Sequence, residues 1–169
     1  MYKRLILFLS VILFSACSSM INKKTLQLPT NKKYAISSFW NYTETPMAGL
    51  RASSIVESVL AREPIEVHSL VDGSEKIEEE KNKQKFLINK KNKAIESGAD
   101  YLITGDVQEW RYKTGIDGEP VVSYSIKVID LKSDKVIYSS VGAKSGWGYK
   151  SIGVVAQEIA IELIPNFIP

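Results

Sequence analysis

Residues 100–141 read DYLITGDVQEWRYKTGIDGEPVVSYSIKVIDLKSDKVIYSSV, and this stretch decides the fold. Asp100 to Lys113 begins with both faces apolar and turns polar toward its end, as a central strand leaving a core does. Val122, Tyr124, Ile126 and Val128 then alternate with Val121, Ser123, Ser125 and Lys127, the pattern of a half-buried strand. Ser133-Asp134 makes a tight turn without the favoured Asn-Gly pair, and Lys135 to Val141 is the next strand, so the two form a β-hairpin.

Working outward, Ile152, Val155, Ala156, Ile159, Ala160 and Leu163 form one face of a last helix, stopped by Pro165. On the other side, Tyr34 to Phe39 reads as a strand. Thr45-Pro46 starts a helix, with a hydroxyl cap and then a proline where the missing N–H costs nothing. Its apolar face runs through Leu50, Ile55, Val56, Val59 and Leu60, and Pro64 ends it. Ile65 to Leu70 is a second short strand. Glu75 to Ser97 is charged, with acids early and lysines late along one exposed helix ended at Gly98. The lysines between Lys76 and Lys93 suit a solvated face, or a contact with anionic headgroups or a partner.

The order β-α-β-α-β-β-β-α predicts a single α/β domain over residues 34–169. Its sheet is small and mixed, with a C-terminal β-hairpin and about three flanking helices. The 169 residues are 44% hydrophobic and 24% charged, which suits one globular core and excludes a disordered chain. Formal charge is +3, too mild to argue for nucleic acid.

The N-terminus is read separately. Lys3 and Arg4 precede an apolar run from Leu5 to Phe14, then the small residues Ser15 and Ala16, so 1–16 is a signal peptide. The run is short for a membrane span, which needs about 20 residues. Phe14-Ser15-Ala16-Cys17 resembles a bacterial lipobox, with Phe where Leu is usual. Cys17 is then the lipidation site, carrying a diacylglyceryl group and an amide-linked chain such as palmitate. Residues 17–33 are a flexible tether, and Ser18 after the cysteine points to the outer membrane.

Catalytic groups are hard to find. His68, the one histidine, sits in a short strand and reads as structural. The single Cys17 makes no disulfide or multi-cysteine metal site, and no phosphate loop or nucleophile elbow is present. No enzyme activity, cofactor or metal is expected. Two segments stand out instead. Glu109 to Pro120 carries Trp110 and Tyr112 on one strand face into a loop with two glycines and two acids. Gly142 to Tyr149 sets Trp147 between glycines, either as a plug in a cleft or as an exposed anchor or subunit contact. Asp117 and Glu119 are ordinary turn chemistry in a monomer, but in a ring they would make an acidic rim.

Asn41-Tyr42-Thr43-Glu44-Thr45-Pro46-Met47-Ala48-Gly49-Leu50-Arg51-Ala52 resembles the N-terminal motif of the PelC family. So do Gly98-Ala99-Asp100-Tyr101 with Thr104-Gly105, Glu109 to Lys113 through Gly118-Glu119-Pro120, and Gly142 to Trp147. The strand and Thr-Gly pattern alone is shared with CsgG-like and LpoB-like lipoproteins. The resemblance implies a dodecameric homo-oligomeric ring on the periplasmic face of the outer membrane. The ring would have an acidic funnel that guides a cationic exopolysaccharide, Pel, toward a PelB-like outer-membrane β-barrel in biofilm formation. By motif, Asp117 and Glu119 would line the funnel. Trp147 and Tyr149 would meet outer-membrane lipid beside Cys17, and Glu109, Trp110 and Arg111 would serve subunit contact. The rival reading is an LpoB-like activator of a peptidoglycan synthase, which wants a monomer and a long tether; a glycan-modifying enzyme is a third.

Overall fold

The computed structural model describes residues 18–22, 28–73, 82–115, 118–147 and 149–164. Its strands are β1 (Ser18–Asn22), β2 (Lys33–Ser37), β3 (Trp40–Asn41), β4 (Glu66–Leu70), β5 (Tyr101–Tyr112), β6 (Pro120–Asp130) and β7 (Lys135–Ser145). The helices are α1 (Ala48–Leu60), α2 (Lys83–Glu96) and α3 (Ile152–Leu163).

All seven strands share one sheet in the order β1-β7-β6-β5-β2-β4, with β3 pairing on β5. β2, β4 and β3 run parallel to their neighbours, while β5, β6, β7 and β1 are antiparallel. The crossover β2-α1-β4 moves one way across the sheet, and β4-α2-β5 moves back over β2. Right-handed crossovers in opposite directions place their helices on opposite faces. α1 therefore shares the main core with α3, through Ala52, Val56, Leu60, Val155, Ile159 and Leu163. α2 packs a smaller cluster on the other face, around Ala35, Ala94, Leu102 and Ile129.

The β6 alternation is as expected: Val122, Tyr124, Ile126 and Val128 all enter the main core. Two of the sheet's tyrosines also pin α3. Tyr124 donates its hydroxyl to the Ala156 carbonyl at 2.7 Å, and Tyr138 donates to the Leu163 carbonyl at 3.1 Å, which satisfies a last-turn acceptor. The β6–β7 turn is held by Asp130, whose Oδ1 accepts from the N–H groups of Lys132 and Ser133, and by Asp134 in the left-handed region.

Several local readings are corrected. Residues 18–22 are strand rather than tether: β1 pairs with β7, and Met20 packs against the main core. α1 begins at Ala48, not at Thr45-Pro46, and its N-cap is Met47 in the left-handed region without a side-chain cap. The Thr45 hydroxyl donates instead to the Trp110 carbonyl at 2.5 Å, tying this turn to β5. α2 begins after the Asn82 cap, whose side chain accepts from Lys85 N–H, and the acidic segment expected to start that helix lies outside the described residues. Its C-terminus ends as read. Gly98 at φ 77° lets Gly98 N–H reach Ile95 O and Ala99 N–H reach Ala94 O, closing the last turn.

Candidate functional site

β5, β6, β7 and β1 run antiparallel in turn, so their ends alternate, and one end of the sheet collects three of the singled-out segments. It holds the β5–β6 loop between Tyr112 and Pro120, the stretch after Ser145, and the start of β1 at Ser18. Ser18 is in register with Lys144, three residues before Trp147. Cys17 precedes it in the chain and lies outside the described residues, as does Asp117.

The stretch after β7 is held in place. Gly146 N–H donates to the Pro120 carbonyl at 2.8 Å and Lys150 N–H to the Trp147 carbonyl at 2.8 Å. Lys150 Nζ meets Glu158 on α3 at 2.6 Å, and Lys144 Nζ lies 2.9 Å from both Glu158 and Glu162. The Lys150 hydrogen bond leads in holding the Glu158 carboxyl below its ordinary value. Burial opposes the Lys144 charge, but Glu158 and Glu162 outweigh it and raise its pKa. On this frame Trp147 is 43% exposed and Tyr149 84%, so two aromatics face outward from an anchored loop.

In the β5–β6 loop, Lys113 and Glu119 bond through both backbone and side chain: Lys113 N–H donates to Glu119 O, and Nζ meets Oε2 at 2.7 Å. The charge of Glu119 is therefore matched locally by Lys113. Half-buried Glu109 and exposed Arg111 share one face and pair with each other at 3.2 Å. Trp110 is a correction. It is 2% exposed within a single copy and belongs to the main core, so its side chain is not available to a subunit contact. The cause is a bulge between Val107 and Glu109, which shifts the alternation by one and turns Trp110, rather than Glu109, inward.

A further polar cluster escapes the sequence reading. Asp106, nearly buried in β5, takes Lys83 of α2 at 2.6 Å and Lys127 of β6, with Ser125 Oγ also donating to it. Burial opposes its ionisation, yet Lys127 and Lys83 together hold its pKa below the usual carboxylate value. Lys83 also lies over the Tyr42 ring at 4.8 Å and donates to its hydroxyl, beside Trp40 packed edge-on to Phe86. The α2 lysines are thus largely occupied: Lys83 on Asp106, Lys90 buried beside the Phe86 ring, and Lys91 on Asp134 at 2.5 Å. The available signal is a carboxylate in the apolar first half of the central strand; its partners lie 23 and 21 residues away, where no pattern marks them.

His68 is exposed on the edge strand β4, and among the described residues no three His, Cys, Asp or Glu side chains are placed to hold a metal ion. No described helix is long and apolar enough to cross a membrane.

The chain matches no protein-family model and no curated protein sequence. Solved structures do match. The fold, a mixed sheet with helices on both faces, is that of lipoprotein GNA1162 from Neisseria meningitidis, which is 16% identical with a TM-score of 0.57 over 80% of this chain and 99% of that one. That likeness defines the class as a small α/β domain of the kind found in this lipoprotein. Two crystal forms of the PelC dodecamer from Paraburkholderia phytofirmans, one of a point variant, are each 30% identical. Their TM-scores are 0.73 and 0.75, over 89% and 90% of this chain and 97% and 99% of theirs. The chain belongs to the PelC family.

Proposed function

We propose that this protein is a non-enzymatic lipoprotein of the outer membrane that assembles into a ring on the periplasmic face. The ring collars the exit of a cationic exopolysaccharide of the Pel type into a PelB-like outer-membrane β-barrel. One observation carries the reading: at 30% identity over nearly its whole length, the chain matches PelC crystallised as a dodecamer.

The geometry supports a division of labour at one end of the sheet. Cys17 carries the lipid, and the chain it starts enters the sheet in register with Lys144. The exposed Trp147 and Tyr149 follow on the same end, where amphipathic rings suit a headgroup layer. The β5–β6 loop opens at that end too. Lys113 balances Glu119 within one copy, and the funnel role is assigned to Asp117, the other acid of the loop sequence. Repeated around an axis, one carboxylate per copy makes a ring that focuses negative potential and favours a cationic polymer.

Asp117→Asn tests the funnel. Polymer secretion falls while the mass of the assembly and its membrane association stay those of the wild type. Undiminished secretion removes the funnel role from Asp117.

A further inference from the structure

The two flanks of the aromatic loop meet at one side chain. Lys144 lies near the end of β7 and Lys150 just before α3, and both point their ammonium groups at the carboxylate of Glu158. The carboxylate is divided between them. Oε1 accepts from Lys150 Nζ at 2.6 Å, and Oε2 lies 2.9 Å from Lys144 Nζ, which also donates to Glu162. The helix that carries Glu158 is itself fixed to the sheet. Tyr124 and Tyr138 donate to its Ala156 and Leu163 carbonyls, and Ile152 N–H donates to the Tyr112 hydroxyl at 3.2 Å.

The segment between the flanks needs such a fixed point. Trp147 stands between Gly146 and Gly148, and glycine loses more conformational freedom on ordering than any other residue. A large ring in water also gains by turning back onto apolar surface. That surface is at hand: a Cβ on Gly146 would lie 2.6 Å from Val155 and 3.0 Å from Pro120. Trp147 and Tyr149 are nevertheless exposed. Ion pairs in open solvent contribute little, but here the side chains of Lys144, Lys150 and Glu158 are only 17%, 27% and 28% exposed, so screening is reduced. Lys144 is moreover in register with Ser18, the residue after Cys17. Holding both lysines on one carboxylate therefore sets the aromatics against the strand that follows Cys17.

We propose that Glu158 is a positioning residue for membrane contact: by clasping Lys144 and Lys150 it keeps Trp147 and Tyr149 turned outward to a lipid surface. Without the clasp the loop swings back and the rings leave the headgroup layer. This inference rests on the membrane reading of the loop above and names the side chain on which that presentation depends.

The test is quenching of Trp147 emission in the full-length acylated chain, bound to phosphatidylethanolamine–phosphatidylglycerol vesicles with and without brominated acyl chains. Subtracting Trp147→Phe isolates the signal. The wild type is quenched by the brominated lipid. Glu158→Gln, which keeps one acceptor oxygen and turns an amide N–H toward the other lysine, loses most of that quenching with unchanged circular dichroism. Lys150→Met, which opens the clasp from the other side, loses it equally and decides alone if Glu158→Gln does not fold. Glu162→Gln leaves Glu158 between both lysines and is quenched like the wild type. A quenched wild type with Glu158→Gln or Lys150→Met quenched as strongly overturns the clasp and leaves the membrane reading standing. Equal loss in Glu162→Gln also overturns it, since any charge removed from α3 would then suffice. A wild type whose Trp147 is not quenched overturns both.

Discussion

Asp106 shows how a single carboxylate is made tolerable inside a sheet. A buried charge is costly unless paired, and here two lysines and a serine hydroxyl surround it. Because its folded-state pKa is depressed, its stabilising contribution is complete above the unfolded value of about 3.9 and is lost as pH falls through the folded value. Asp106→Asn lowers stability by roughly 1–3 kcal/mol near neutral pH, since hydrogen bonds to charged groups are lost. Chemical denaturation of both proteins between about pH 5 and pH 2 tracks the difference, which narrows with acid. A gap that is constant across that range contradicts the pairing. The same scale explains why two glycines of the family-like motifs were recognisable without their reason being visible. A Cβ on Gly105 would lie 2.0 Å from the Ser125 carbonyl oxygen and 2.8 Å from the Phe39 ring, and one on Gly49 would lie 2.1 Å from the Phe39 carbonyl oxygen. Both glycines make room for Phe39, a contact that no spacing along the chain encodes.

Among the elements, those set by local periodicity were legible and those set by distant partners were not. The β6 alternation, the α3 face and the glycine stop after α2 follow from side-chain pattern and backbone conformation alone. Ser18 to Lys33 reads as tether because it is polar and lysine-dotted with Pro29 near its end, whereas Ser18–Asn22 is strand because β7 offers it an edge and the core takes Met20. Trp110 and Tyr112 read as sharing one strand face, but nothing in the spacing says that this face turns inward at Trp110, because that depends on the bulge between Val107 and Glu109. The α2 lysines looked like a solvated face because their partners Asp106 and Asp134 come from other elements. The loop after β7 was legible as unusual through its glycines, and its hydrogen bonds explain how it can present aromatics outward. Trp147→Ala, with Tyr149→Ala as its companion, reduces the membrane-bound fraction of the full-length chain in salt-washed vesicles. A fraction equal to wild type in both variants removes the interface role from the loop.

At the scale of the whole molecule, two properties belong together. Among the described residues, one sheet face is layered by α1 and α3 and the other carries α2. One sheet end gathers the start of β1, which follows Cys17, the exposed aromatics and the β5–β6 loop, so a ring of such copies would present the same end at every position. Neither property is encoded in a local pattern, and copy number least of all. The most direct measurement is the mass of the full-length chain by light scattering in detergent micelles across a concentration series. The account predicts one discrete mass, close to twelve copies as in the related PelC crystals and constant on dilution. A single copy at every concentration contradicts it, and would return Asp117 to an ordinary turn and favour the activator reading.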